Sequence, residues 1–209
     1  MGLYDLIAGR FDPERRVAYL RGRGDVAGLV HLLVRGAPSV RHLAAAALGD
    51  LGKPEALPAL VQAIQGPDEE GIRWRAAEAL VRIGAPAVDS LLSLVAHDDP
   101  DLRWKACIAL GEIGDARAIP ALVERLADDD RFVRARAISA LVRIGSIALP
   151  FLTLALEDPD ARVRAGSADA LGQIGDPAAI EGLLIAIRDP VESVRRAAAV
   201  ALLRLNPVD

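Results

Sequence analysis

Residues 72–84 read IRWRAAEALVRIG and residues 102–114 read LRWKACIALGEIG, two stretches with the same spacing of aliphatic residues. The phrase recurs along the chain, and successive copies begin 32, 30, 31, 30 and 31 residues apart. Its six copies occupy residues 40–52, 72–84, 102–114, 133–145, 163–175 and 194–206. Self-similarity at a fixed period of this length is the sequence signature of a repeat protein.

A second apolar phrase lies between the copies, for example at residues 53–64 and 115–126, with a helical spacing of its own. A glycine ends each copy except the last, at a point where helix termination often requires a positive φ. Each repeat is therefore predicted to be a pair of helices. We call the helix of the thirteen-residue phrase the VR helix and the other the connecting helix. Prolines near the start of three connecting helices should delay or kink them: Pro58, Pro120 and Pro150.

Composition agrees with closely packed helices, since 52% of the residues are hydrophobic and only 3% are aromatic. A net charge of −4 provides no global attraction to nucleic acid or to an anionic membrane. The N-terminus is a poor secretory signal, and the apolar runs stop short of the roughly 20 residues that a membrane helix needs. The single cysteine is compatible with a reducing compartment. These features predict a cytoplasmic protein that does not bind membranes.

The repeated phrases resemble the HEAT-like repeats of the family named for phycobilisome lyases, over the chain from Asp25 onward. The opening MGLYDL before such repeats also looks similar to uncharacterised archaeal members of that family. The resemblance implies an all-α, right-handed α-α superhelix (a HEAT-like solenoid), in which the VR helices line the concave face. We expect residues 1–24 to form an N-terminal helical cap and residues 25–209 to form a single solenoid domain of six HEAT-like repeats.

The two tryptophans, Trp74 and Trp104, both occupy the third position of the phrase. On a helix with about 100° per residue, positions 1, 5, 8, 9 and 12 form the core face, and position 3 lies on the opposite side. Residues of every kind occupy position 3 in the other copies, as is typical of a surface position. We predict that the two rings face outward from adjacent repeats, about 8–10 Å apart. Simple packing of each ring between helices is the alternative interpretation.

Arginines and aliphatic residues surround the tryptophans on the same helical wheel. An aromatic centre with an arginine-rich margin is the composition of interface hot spots. The candidate partner-binding surface on the concave face consists of Trp74, Trp104, Arg75, Lys105, Ile108, Arg136, Arg82, Arg143, Glu78 and Val81.

The arginine at position 2 recurs in every copy, so we assign it a structural role in the repeat. It is expected to pair with Asp115, Asp176 or the acidic residues of the loops, in a ladder of ion pairs. Cys107 stands where most other copies have a small apolar residue, which predicts a buried thiol rather than a reactive one.

No catalytic, metal or cofactor site is predicted. Deoxyhypusine hydroxylases resemble this fold but present His-Glu pairs to a di-iron centre, whereas the three histidines here precede Leu32, Leu43 and Asp98. The glycines lack the spacing of a phosphate-binding loop. A Cys/His nucleophilic pair would require an exposed Cys107.

We therefore predict a non-catalytic scaffold that binds a protein or peptide. One alternative is nucleic-acid binding or DNA repair, since alkylpurine DNA glycosylases resemble the fold and use a basic concave surface, an aromatic pair and a catalytic Asp, which Asp169 would supply here. Another is an accessory subunit of a bilin lyase. A monomer is expected. A dimer through the terminal repeats, where Val200, Leu203 and Leu205 have no following helix, is the alternative.

Overall fold

The computed structural model describes residues 12–68 and 71–205, and all regular secondary structure in these ranges is helical. Helix α1 (Pro13–Gly22) lies in the range expected to form the N-terminal cap. A second cap helix, predicted from the sequence at residues 2–8, falls outside the described residues. The connecting helices are α2 (Val26–Arg35), α4 (Leu57–Gln65), α6 (Val88–Val95), α8 (Ile119–Glu124), α10 (Leu149–Ala155) and α12 (Ile180–Ala186). The VR helices are α3 (Pro38–Leu51), α5 (Ile72–Ile83), α7 (Pro100–Ile113), α9 (Arg131–Ile144), α11 (Ala161–Ile174) and α13 (Glu192–Leu205).

The chain divides into two compact units, Met1–Ser90 and Leu91–Asp209. In the first unit, α1 packs on α3, and α3 packs in turn on α2 and α5. In the second unit, the VR helices α7, α9, α11 and α13 pack in chain order, and each connecting helix from α8 onward contacts the VR helix that follows it. Each unit is thus a stack of the predicted helix pairs.

Helix ends follow the turn chemistry of the sequence. The glycines that close the VR helices have φ values between 61° and 80°. Pro58, Pro120 and Pro150 each occupy the first turn of an α-helix that begins only after a short 3-10 turn, so the predicted delay is confirmed.

The core face predicted from the helical wheel is confirmed. The VR-helix leucines at position 9 and the alanines at position 8 are mostly buried, with examples in Leu80, Leu110, Ala109 and Ala140. Cys107 is also fully buried, and the burial raises the pKa of its thiol to about 12. The predicted burial of Cys107 is therefore confirmed, and its low reactivity stays a prediction.

The VR helices of copies one and two, three and four, and five and six approach each other closely. This pairing was not predicted from the sequence. Position 10 is glycine in the first, third and fifth copies, and each glycine faces the position-8 alanine of the next VR helix. A Cβ on Gly49 would lie 2.8 Å from the Cα of Ala79, and one on Gly172 would lie 2.5 Å from the Cα of Ala201. Larger side chains occupy position 10 in the even copies. The molecule is therefore built from blocks of two repeats.

An ion pair spans each of these close contacts. An arginine at position 11 of the even copy bonds to an acid on the preceding VR helix, as Arg82 does to Asp50. The equivalent bonds in the second unit join Arg143 to Glu112 at 2.6 Å and Arg204 to Asp169 at 2.9 Å. Glycine at position 10 of one copy and arginine at position 11 of the next copy therefore determine both how closely the two VR helices of a block pack and which ion pair joins them.

The position-2 arginines have the structural role that was expected. Each donates to a backbone carbonyl five to eight residues earlier in the chain, for example Arg73 to Gly66 O at 2.9 Å and Arg195 to Asp189 O at 2.8 Å. Arg103 also forms a bidentate pair with Asp128, and Arg164 forms one with Asp189.

The expected acids Asp115 and Asp176 were wrong as partners. Both instead accept backbone N–H groups at the start of their own 3-10 turns. An Asp at the start of a turn bonds to the N–H two residues further on, and Asp115 also pairs with the Arg117 side chain of its own turn.

The stretch Arg131–Ala155 is long and apolar enough to cross a membrane by length and composition. In the structure it comprises α9, a 3-10 turn and α10, which are a VR helix and the connecting helix after it. Val133, Leu141 and Leu152 from this stretch are fully buried among the helix pairs. The packing of the repeat therefore accounts for much of its apolar character.

Candidate functional site

In the first unit, the candidate surface lies on α5. The Trp74 side chain is 40% exposed, so its ring is not enclosed in the core. Beside it, Arg75 donates from Nε to His42 Nε2 and from Nη1 to Glu78 Oε2, the latter at 2.8 Å. Val81 is half-buried. The ion pair between Arg75 and Glu78 holds these two charged side chains in place beside the accessible indole ring of Trp74.

In the second unit, Trp104 is half-buried and Lys105 is only 5% exposed, contrary to its expected place on the open margin. The Lys105 ammonium pairs with Asp101 and lies 4.4 Å from the centre of the Trp104 ring. An ammonium can leave water when a carboxylate and an aromatic face replace its hydration. Lys105 is therefore a support for Trp104 rather than an exposed contact residue.

Three predicted residues come together in an open groove of about 460 Å³ in the second unit: Ile108, Arg136 and Arg143. The groove runs over α7, α9 and α11. Its other lining residues, which lie outside the list of candidate residues, are Gly111, Glu112, Ser139, Ala140, Val142 and Gln173. The alternation of residue types at positions 10 and 11 is the sequence signal that could have identified several of them.

The two arginines of this groove differ in charge balance. Arg143 is paired with Glu112. Arg136 is exposed and has no hydrogen bond or ion pair within residues 12–68 and 71–205. Since an exposed guanidinium without an acidic neighbour attracts carboxylates, the groove presents one uncompensated positive charge beside apolar side chains.

The predicted pairing of Trp74 with Trp104 joins residues of the two separate units, and it stays a prediction. Arg82, also on the candidate surface, is exposed but bound to Asp50.

The three histidines lie in separate settings. His31 is exposed, His42 accepts the hydrogen bond from Arg75, and His97 Nδ1 accepts from the Asp99 N–H at 3.0 Å. Among the described residues, no group of three or more His, Cys, Asp or Glu side chains could hold a metal ion.

Within each unit, helix pairs that stack through their VR helices define an all-α repeat protein of the solenoid class. The sequence model of the HEAT-repeat family matches residues 26–98, 72–142, 88–158 and 133–204. The chain therefore belongs to the HEAT-repeat family.

Solved structures with this arrangement include proteins with different roles. The complex of CpcE and CpcF of phycocyanin lyase from Nostoc sp. PCC7120 is 20% identical, with 72% of this chain and 99% of that chain covered and a TM-score of 0.50. Human deoxyhypusine hydroxylase in complex with glycerol is 24% identical, with coverage of 91% and 88% and a TM-score of 0.42. An engineered protein is 23% identical, with coverage of 87% and 96% and a TM-score of 0.46. At these identities the likeness concerns the fold alone. No curated protein matches the chain in sequence.

Proposed function

We propose that this chain is a non-catalytic, cytoplasmic scaffold that binds a protein or peptide on the exposed face of its VR helices. The observation that carries the proposal is the groove over α7, α9 and α11, where Arg136 lies beside Ile108 and Val142 and has no partner in the described part of the chain. A regular frame with variable outward residues is how helical repeat proteins present binding surfaces.

The chemistry of the groove selects the partner class. Ile108 and Val142 provide apolar contact, Ser139 and Gln173 provide hydrogen bonds, and Arg136 provides one positive charge. A peptide segment that places a carboxylate next to an aliphatic or aromatic side chain complements these groups.

A selection from a displayed random-peptide library, followed by fluorescence anisotropy with the enriched peptide, tests the proposal. Arg136→Ala should weaken the affinity about tenfold, since a charge pair across the interface is lost. Arg35→Ala is the matched control, because Arg35 is also exposed and lies on the connecting helix α2. Equal affinities of wild type and Arg136→Ala, or enriched peptides without acidic residues, would contradict the proposal.

Trp74 carries the corresponding role in the first unit. Trp74→Ala should weaken the capture of an intact partner while the circular dichroism spectrum stays unchanged, because the ring is accessible. Phe132→Ala removes another exposed aromatic ring, outside the candidate surface, and is the matched control. Undiminished capture by Trp74→Ala would exclude Trp74 from the binding surface.

Nucleic-acid binding has less support from the charges on the VR helices. Arg82 and Arg143 are paired with acids, and Asp169, the residue that would serve as the catalytic Asp, is bound to Arg204. Salt-sensitive retention of the chain on DNA at low ionic strength would favour this alternative. The bilin-lyase alternative predicts a visible-absorbing complex with a tetrapyrrole.

A further inference from the structure

One outward position of the connecting helices changes character along the chain. It is polar in the first four, as His31, Gln62, Ser93 and Glu124, and aliphatic in the last two, as Leu154 and Ile185. All six side chains are exposed, and Leu154 and Ile185 are 72% and 69% exposed. The repeat can therefore fold with a polar residue at this position. The aliphatic residues in α10 and α12 must serve something other than the fold of the repeat.

Further apolar side chains surround these two. Ile147 and Phe151 precede Leu154, and Leu184 precedes Ile185, and all three are exposed. Helices α10 and α12 adjoin, because a Cβ on Gly182 would lie 3.0 Å from Leu156 Cδ1 and 3.5 Å from Thr153 Cγ2. We call the exposed apolar side chains of these adjoining helices and of the 3-10 turn before α10 the α10/α12 patch: Ile147, Phe151, Leu154, Leu184 and Ile185. Contiguous exposed apolar surfaces mark interaction sites.

The charges at the two ends of the patch indicate its occupant. Glu181, Leu184, Ile185 and Arg188 have the spacing i, i+3, i+4 and i+7, so they share one side of α12 and the turn after it. Glu181 and Arg188 are exposed, and neither has an ion pair within the part of the chain that the structure describes. In an antiparallel arrangement about a two-fold axis, Glu181 of one copy would meet Arg188 of the other, and the aliphatic residues would meet between them.

We propose that the α10/α12 patch is the contact through which two copies of this chain form a symmetric dimer. The contact involves connecting helices, so it is separate from the groove on the VR helices and leaves that groove open. The proposed dimer differs from the monomer that was expected from the sequence. It also differs from a contact through the last helix, where Val200 and Leu203 are exposed.

Sedimentation equilibrium of the full chain over about 1 to 200 μM tests the dimer, because self-association depends on concentration. Replacement of both Leu154 and Ile185 by Gln copies the residue of α4 and should raise the dissociation constant at least about 100-fold. The circular dichroism spectrum should not change, since Gln is already accommodated at this position of the repeat. A double Val200→Gln, Leu203→Gln variant removes exposed aliphatic residues from α13 and should dimerise like the wild type.

Charge exchange gives a second, independent test of the geometry. Glu181→Arg alone or Arg188→Glu alone should raise the dissociation constant about tenfold, because each creates two like-charged contacts across the axis. The double variant Glu181→Arg, Arg188→Glu restores both opposite pairs and should return the constant to within about threefold of wild type. A wild type that stays monomeric throughout would overturn the proposal, whether or not another protein or lipid vesicles bind the patch. So would a dimer that the Gln variant retains or a charge exchange without recovery.

Discussion

Gly111 on α7 lies directly against Ala140 on α9, so closely that a Cβ at residue 111 would come within 2.7 Å of the Ala140 Cα. No side chain fits at that distance unless the two helices separate. Arg143 on α9 binds Glu112 next to this contact. The absence of a side chain at Gly111 therefore also lets the two helices come close enough for this ion pair, which lines the groove. The geometry of the candidate site thus depends on a residue without a side chain.

Gly111→Ala should lower the free energy of unfolding by about 1 to 3 kcal/mol, because the methyl group meets backbone atoms that cannot move aside independently. Gly22→Ala is the matched control, since nothing lies within 4 Å of a Cβ at that helical position. It should be neutral or slightly stabilising. Urea unfolding followed by circular dichroism measures both. Equal stability of Gly111→Ala and wild type would mean that the helices are not packed as closely as described.

Ser167 is fully buried, and its Oγ has no hydrogen-bond partner among residues 12–68 and 71–205. The other VR helices have alanine at this position: Ala44, Ala76, Ala106, Ala137 and Ala198. Ser167→Ala should therefore raise the free energy of unfolding by about 1 kcal/mol, since a buried hydroxyl without a partner is costly. A loss of stability on this substitution would show that the hydroxyl has a favourable contact.

Asp128 should make the stability of the fold depend on pH. Burial favours the neutral acid, but the hydrogen bonds donated by Arg103 and by the Asp130 N–H outweigh it, so the pKa of Asp128 is lowered. A lowered pKa in the folded state gives stability that is present above the ordinary carboxyl pKa of about 4 and is lost as the pH falls through the folded-state value. Asp189, whose pKa is lowered mainly by Arg164, acts in the same direction.

Asp128→Asn should accordingly cost about 2 to 3 kcal/mol at neutral pH and flatten the decline of stability below about pH 4. Thermal melts across this range measure the effect. Glu112→Gln breaks an exposed pair and should change stability by no more than about 0.5 kcal/mol. A decline with falling pH that is as steep in Asp128→Asn as in wild type would contradict the assigned role.

Cys107 should not react with a thiol reagent in the folded chain, because it is buried and its pKa is raised to about 12. Labelling by dithionitrobenzoate at mildly alkaline pH should proceed only when guanidinium chloride unfolds the protein. Rapid labelling of one thiol per native chain would show that α7 opens readily or that its register differs.

The sequence was sufficient to predict the repeat, its helix pairs, its glycine stops and its core face, because these features depend on local patterns that recur six times. It did not predict the burial of Lys105, which depends on the particular placement of Asp101 and Trp104 around one ammonium group. The paired packing of VR helices was present in the sequence as glycine at position 10 of alternate copies. Its meaning emerges only when the facing alanine of the next helix is known.

For the position-2 arginines too, the sequence predicted the structural role but not the particular acidic partners. A recurrent arginine indicated a structural role, and the carbonyl acceptors confirm it. Asp128 and Asp189 are among the loop acids expected as partners, but the sequence did not single them out: each follows its arginine by 25 residues and lies in the loop after the next connecting helix. Such partners are set by the stacking of one repeat on the next.

Hydrogen exchange of the full chain, with and without the peptide selected on it, tests most directly whether the partner is bound on the VR helices. We predict slower exchange in α9 and α11, around Arg136 and Gln173, and unchanged exchange in α10 and α12. Protection confined to the connecting helices, with no change along α9, would contradict the proposed site.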